Sequence, residues 1–338
     1  MTNQPKNSNY RYGEPGRTHK VLLYVLLLVG GLTMVIPFLW MMSTSLKHQG
    51  EVFTRTPQWL PWRTEARIDG DWYGAKSMNR QNDQGERKMR IIEKGRYQSD
   101  IHWVAEHDIR RTVSPRWRNY SEVWEVVRFG RFYLNSIFVA FCVTFGQLVT
   151  ASLAGYSFAR LRFPGRDKIF LAYLATMMIP GSVTLIPLFI VIKKIGWMDT
   201  YWALIVPWMF TPYGTFLLRQ FFMSLPSELE DAAKIDGCSL FSIYWRIALP
   251  LSKPALATLG IFTFMGAWGS FMWPLIVIHS TGKNTLPIGL AAFQGQYTTD
   301  YPLLMAGAMM VVLPIIVIFV CCQRFFVEGI KLSGMGGR

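Results

Sequence analysis

Glu228–Leu251 reads ELEDAAKIDGCSLFSIYWRIALPL, a polar island between two long apolar runs. Ser227 with Glu230 fits a capping box, and Pro226 beside it suits a helix start. Leu229, Ala232, Ala233 and Asp236 then share one helical face at i, i+3, i+4, i+7. Gly237 supplies the left-handed residue that ends the helix. A second periodic run, Leu240, Tyr244, Ile247 and Leu251, follows, and Pro250 and Pro254 mark entry to the next apolar segment. The expectation is helix, glycine turn, helix, lying against a membrane. Paired alanines let a partner's surface approach the helix backbone closely.

Composition places the chain in a bilayer. Hydrophobic residues are 51% of the 338, and the mean hydropathy is +0.21. Uncharged apolar runs occupy 21–46, 132–159, 169–192, 201–218, 254–278 and 301–323. Each can cover a hydrocarbon core, which needs about 20 helical residues. Six spans are expected. The run at 201–218 is the shortest and contains Pro207 and Pro212, so its ends are the least defined.

Lys and Arg in the short loops orient these spans. With the N-terminus inside, the inner segments hold Lys6, Arg11, Arg17, Lys20, Arg160, Arg162, Arg166, Lys168, Arg219, Lys234, Arg246, Lys253 and Arg324. The short outer loops hold only Lys193, Lys194 and Lys283. The net charge of +14 is thus mostly a topology signal and needs no nucleic-acid partner. The division that follows is a cytoplasmic tail at 1–20, a first span at 21–46 and an extracytoplasmic loop at 47–131. A membrane core at 132–326 with an inner loop at 219–253 comes next, then a cytoplasmic tail at 327–338. The first run is too long for a signal peptide and lacks a small-x-small cleavage pattern, so it reads as an uncleaved helix. Cys142, Cys238, Cys321 and Cys322 form no disulfide framework.

The spacing of the opening segment carries a resemblance. Ala232-Ala233, Gly237, nine residues, Ile247, one residue and Leu249-Pro250 resembles the "EAA" signature of ABC importer permeases, with Asp231 where that family usually has Glu. FGRFYLNSIFVAF at Phe129–Phe141, SLAGYSFARLRFPGR at Ser152–Arg166, QRFFVEGIKLSG at Gln323–Gly334 and SLKHQGEVFTRTPQWLP at Ser45–Pro61 are similar to the smaller permease subunit of maltose-type carbohydrate importers. The resemblance implies the six-helix, all-α type I importer permease fold. It also implies a heterodimer with a second permease, a cytoplasmic ATPase dimer that binds the ATP and magnesium, and an extracytoplasmic solute-binding protein. Glu228, Glu230, Asp231, Ala232, Ala233, Asp236, Gly237, Ile247, Leu249 and Pro250 would then form the ATPase-coupling surface, and the glycine-rich tail after Val327 would end the last helix and touch the ATPase. The chain itself would need no cofactor or metal.

The stretch at about 63–115 departs from the compact family pattern. Apolar Ile91, Ile92, Tyr97, Ile101, Trp103 and Val104 lie among charges, and turn signals stand at Asp69-Gly70, Asn82-Asp83 and Lys94-Gly95. A small extracytoplasmic subdomain of two to four strands is one reading, and a polar spacer is the other.

Small residues recur in the spans at Gly146, Thr150 and Ala154, at Ala151 and Gly155, and at Gly266 and Ser270, as helix-packing faces do in lipid. Gln147 either lines a pathway or hydrogen-bonds between helices. Trp268, Ser270, Phe271 and Trp273, in GAWGSFMWP, either line a sugar pathway, where aromatic rings stack on sugar faces, or simply pack.

Catalysis finds little support. No phosphate-binding loop is present, since Gly282-Lys283 is followed by Asn284. The five histidines are scattered, and His102 with His107 lacks metalloprotease spacing. The alternative, a membrane-embedded enzyme or ion-driven transporter, calls for polar or charged residues deep in the spans. The six runs contain no Asp, Glu, Lys or Arg.

Overall fold

Apolar periodicity becomes helix, and several runs are interrupted at proline or glycine, notably at Pro180-Gly181, Pro207 and Pro212. Pro37, Pro187 and Pro314 instead lie inside helices that pass through them. The computed structural model describes residues 17–53, 58–82, 85–92, 100–126, 128–295 and 299–334. It divides into two units, Met1–Arg116 and Trp117–Arg338.

The first unit holds one helix and one sheet. Helix α1, Arg17–Ser45, runs without a break through Pro37, and its side chains from Val21 to Ile36 are exposed. Beyond it the backbone is stitched to the segment that leads into the sheet. The Ser43 hydroxyl donates to the Trp59 carbonyl, and the Lys47 ammonium donates to the Gln58 carbonyl while lying 4.3 Å from the Trp40 ring centre. The Thr64 amide donates to Glu51 Oε1 at 3.1 Å.

Five strands follow: β1 Trp62–Ile68, β2 Asp71–Gln81, β3 Arg87–Ile91, β4 Ile101–Val104 and β5 Ile109–Val113. They form one antiparallel sheet in the order β4-β3-β2-β1-β5. Asp69 and Gly70 both have positive φ, 52° and 92°, as the hairpin between β1 and β2 requires. One face buries Ala66, Ala75, Met89, Ile91 and Val104. The protein is therefore not all-helical: the insert is a sheet of five strands rather than two to four. The Lys94-Gly95 turn signal, and Asp83 of the other, lie outside the described residues.

In the second unit α2, Arg118–Val126, precedes the long α3, Phe129–Arg160. The third apolar run is split into α4, Arg166–Ala175, and α5, Gly181–Lys194, with a 102° bend at Pro180-Gly181. The fourth run is not one helix. It is α6, Tyr201–Ile205, then a single turn at Val206–Trp208, then α7, Pro212–Ser224, because Pro207 and Pro212 each remove a backbone donor. Next come α8, Ser227–Ile235, and α9, Leu240–Ile243, which passes through a wide π turn at Tyr244–Ala248 into α10, Leu249–Leu251. Helix α11, Lys253–Trp268, and α12, Met272–Val277, are followed by α13, Leu286–Ala291, and α14, Tyr301–Gly334.

Among the described residues three helices are long and apolar enough to cross a membrane, or up to five crossings if each bent pair is one. The last helix also corrects the sequence reading of a non-helical tail from 327. Glycine inside a helix costs only about 1 kcal/mol, so Gly329 weakens α14 without ending it.

Helix α3 is the axis of this unit. A Cβ added at Gly155 would lie 3.0 Å from the Arg219 nitrogen and 3.2 Å from the Thr215 carbonyl, so α7 backbone rests directly on α3. Gly146 likewise seats the Met209 side chain. The small-residue spacing in α3 is thus a helix-packing face.

Burial pushes the Glu51 carboxyl up to about 7. Its unfolded counterpart ionises near 4.5, so the native form holds more protons across that interval and stability falls as pH rises through it. Amide exchange at Thr64, corrected for intrinsic rate, is expected to accelerate between pH 5 and pH 8, and Glu51→Gln is expected to flatten that dependence. Unaltered dependence in the variant would remove Glu51 as the cause.

Candidate functional site

Helix α8 is closed by geometry the sequence foretells. Gly237 has φ +78°. The Gly237 amide donates to the Lys234 carbonyl at 3.0 Å and the Cys238 amide to the Ala233 carbonyl at 2.9 Å, a paired closure that satisfies the last carbonyls of α8. The next helix opens on Ser239, whose hydroxyl accepts the Ser242 amide at 3.3 Å.

The start of α8 differs from expectation. Ser227 makes no capping bond and lies inside the helix rather than before it. Glu230, expected to complete that cap, turns inward to Arg160 at the end of α3, with Nε 3.2 Å from Oε1. The two side chains are only 14% and 12% exposed. Arg160 also donates to the Phe222 carbonyl, at 3.0 Å from Nε and 2.6 Å from Nη2, and to the Leu225 carbonyl. Its N–H vectors serve these carbonyls, so the contact with Glu230 is ionic rather than an aligned hydrogen bond. One guanidinium thus joins the end of α3, the end of α7 and the body of α8.

Arg219 adds a second tie. It donates to the Phe158 carbonyl at 3.2 Å and lies 4.2 Å from the Phe170 ring centre. Ser152 and Tyr244, buried and 2.8 Å apart, bond the wide turn to α3.

The faces are redistributed accordingly. Ala233 is buried with Glu230, whereas Glu228, Leu229, Asp231, Ala232, Asp236 and Gly237 are exposed. Ala232 and Ala233 therefore do not form one docking face. In the second helix the buried residues are Ile243, Tyr244 and Ala248, while Leu240 and Leu251 are exposed. The π turn adds a residue to one coil and rotates the stripe expected from regular spacing. Ile247 and Leu249 are half-buried and Pro250 is exposed. Sequence reasoning missed an apolar patch beside the turn. Ile235 is 87% exposed, and Phe241 and Trp245, stacked 6.5 Å apart, are 66% and 59% exposed. Its signal was present, three large apolar residues amid charges, but outside the assumed stripe.

A cavity of about 330 Å³ lies between α3, the α6–α7 break and α11–α12. Gln147, Ser270 and Trp273 line it, joined by Trp208, Thr263 and Gly266. Gln147 also bonds between helices: its amide donates to the Trp208 carbonyl at 3.1 Å, and its carbonyl oxygen accepts from the Thr263 hydroxyl. Gln147 thus bonds between helices and also faces the cavity. Trp273 donates to the Ala203 carbonyl at 2.8 Å and meets Trp208 edge to face at 6.1 Å. Trp268 does not line the cavity. It is 1% exposed and donates to the Val311 carbonyl of α14 at 3.1 Å, packed against Tyr133 and Phe264. Phe271 is not among the lining residues either.

Two polar knots fix the loops flanking this cavity. The Asn135 amide donates to the Gly282 and Asn284 carbonyls at 3.0 and 2.9 Å, and its oxygen accepts from the Tyr201 hydroxyl at 2.9 Å. Asp199, with φ 54°, accepts from the His279 and Ser280 amides and from the Ser280 hydroxyl. The Ser280 hydroxyl and amide, then the His279 amide and Lys283, hold the Asp199 carboxyl well below the usual carboxylate range.

Residues 147–331 match the family model described as binding-protein-dependent transport system inner membrane component. This chain belongs to that family. It is 38% identical over 203 residues to the arabinooligosaccharides transport system permease protein of Halalkalibacterium halodurans, covering 60% of this chain and 73% of that protein. It is 34% identical over 222 residues to the sn-glycerol-3-phosphate transport system permease protein of Yersinia pestis bv. Antiqua, covering 63% and 79%. A chain from the crystal structure of a bacterial ABC transporter involved in the import of alginate aligns with TM-score 0.69 at 18% identity, over 96% of this chain and 100% of that one, a likeness of fold. The chain is accordingly the inner membrane permease component of an ABC importer, with ATP hydrolysis on a separate subunit.

For this permease, removing Arg160 strands a buried carboxylate and uncaps α7, a loss of about 3 kcal/mol or more. Arg160→Ala is expected to lower the melting temperature of the purified assembly and accelerate amide exchange through residues 225–237. The pair variant Arg160→Met with Glu230→Leu is expected to recover the part of the loss that comes from the stranded carboxylate, while the Phe222 and Leu225 carbonyls stay without the guanidinium. Equal damage from single and double variants would show that the ion pair is not the source.

Proposed function

We propose that this permease forms half of the pathway of an ATP-driven sugar importer and takes force from its ATPase through α8–α10. The observation that carries the reading is the lock of Arg160 on Glu230. It ties α8 to α3 and α7, so a push on α8 is delivered to α3, which walls the cavity through Val139, Val143 and Gln147. The exposed residues Glu228, Asp231, Ala232 and Asp236, with Ile235 and Phe241 beside them, supply the surface the ATPase meets. Half-buried Leu249 packs the second helix against the core of α3 and α7, Ile247 and Pro250 flank it, and Gly237 sets the angle of the turn.

In this reading the chain crosses the membrane six times with both ends in the cytoplasm, counting each interrupted run as one span. It pairs with a second permease and receives solute from an extracytoplasmic binding protein. The basic bias of the inner loops supports this orientation. Freed backbone groups in the broken helices are tolerated at membrane depth because they face protein or a cavity.

A carbohydrate cargo is supported by the cavity chemistry. Gln147, Thr263, Ser270 and Thr285 offer hydroxyl and amide partners beside Trp208 and Trp273, and among the described residues no ionisable side chain lines the space. That suits an uncharged, hydroxyl-rich solute passing an apolar and aromatic wall. The arabinooligosaccharide relative agrees with it.

Two substitutions test the two parts. Gly266 has nothing within 4 Å of an added Cβ, so Gly266→Phe can fill the cavity without straining the helix. In proteoliposomes carrying the complete transporter, sugar uptake is expected to be abolished while the subunit still inserts and assembles. Ile235→Glu, at a fully solvated position, is expected to break the link between ATP hydrolysis and uptake by tenfold or more. Uptake at the wild-type rate in either variant would overturn the corresponding assignment.

A further inference from the structure

The sheet of the first unit has two chemically different faces. Strand register puts Arg67 opposite Trp72, Lys76 opposite Arg90, Lys88 opposite Trp103 and Glu65 opposite Arg110, and cross-strand partners share a face. Arg63 joins them, its guanidinium lying across Gly74. This face is the reverse of the one that buries Ala66, Ala75, Met89, Ile91 and Val104. It carries six basic side chains against one carboxylate, Glu65, which is already engaged by Arg63 and Arg110. Arg67, Lys76 and Arg90 are exposed. Among the described residues these three and Lys88 have no ion-pair carboxylate.

Half-buried Trp72 and exposed Trp103 do not act as free stacking platforms. Arg110 lies 4.1 Å from the Trp72 ring centre and Lys88 lies 5.6 Å from that of Trp103. The rings are capped by cations, which suits neither sugar stacking nor insertion among acyl chains. They hold the cations in place, at low entropy cost, for an anionic counterpart.

We propose that this face of the sheet docks an acidic surface of the solute-binding protein. The proposal rests on the permease reading above, which places the sheet outside the membrane and requires such a protein. The four cations without an ion-pair carboxylate among the described residues, Arg67, Lys76, Lys88 and Arg90, steer an acidic partner and fix its register, an effect carried mainly by association rate and weakened by salt.

The test uses the complete transporter in nanodiscs and the solute-binding protein that stimulates its ATPase. Lys76→Glu with Arg90→Glu reverses two facing, exposed charges. Association is expected to weaken on the order of tenfold or more at low salt, with a flatter salt dependence. Arg90→Glu alone is compared with Arg111→Glu, which pairs with Thr64 on the opposite face and makes the same change of net charge; the Arg111 control is expected to change affinity less than twofold. Equal loss in the control, or unchanged affinity in the double variant, overturns the docking. So does a double variant that loses binding to phosphatidylglycerol vesicles but keeps the binding protein, since the face would then meet lipid. If no binding protein stimulates the wild-type complex, the permease reading fails first and takes the docking with it.

Discussion

Arg160 satisfies what the end of helix α7 leaves open and ties it to α3 and α8. Helix α7 finishes with the Phe222 carbonyl accepting the Leu225 amide at 3.3 Å and with further acceptor capacity at Phe222 and Leu225, and a buried helix end without partners is costly. The guanidinium fills both and sits against Glu230 of α8. Its planar fork can serve several acceptors at once, which a lysine cannot do. Because Arg160 is itself the last residue of α3, the contact fuses the polar hairpin to the membrane core. A hairpin held only by apolar contacts would be free to slide under load. The buried ion pair and the carbonyl bonds instead fix it to α3 and α7.

The cavity depends on the opposite kind of local structure. Pro207 and Pro212 interrupt the chain where a continuous helix would fill the space beside α3. The break frees the Trp208 and Met209 carbonyls, and Gln147 and Thr150 of α3 accept the task of pairing them. The polar groups inside the core are therefore also the groups that repair broken backbone. The Asn135 and Asp199 knots then pin the adjoining loops, so the cavity has fixed walls without an ionisable group in its lining.

Much of this was readable. Gly237 could be assigned a left-handed conformation because little else closes a helix that way, and its φ is +78°. Asp69-Gly70 marked a hairpin for the same steric reason. Small residues four apart in α3 foretold the approach of α7, since only a missing side chain lets backbones meet. The family signature was legible because its residues answer to local geometry at fixed spacing.

What the sequence could not decide is which way a side chain turns when two partners compete for it. Glu230 had a local role as a capping residue and a distant one with Arg160, and the distant charge won because both groups are removed from water. Ala232 and Ala233 are equivalent in composition, yet one is buried and the other is open. The π turn at Tyr244–Ala248 rotated a stripe that regular periodicity placed elsewhere. Trp268 and Trp273 stand five residues apart, and only the second reaches the cavity. Sequence by itself determined the apolar runs, the turns and the family, which follow from solvation and local sterics. The tertiary structure alone decided facing and pairing, because those are set by groups tens of residues away whose position no local pattern encodes.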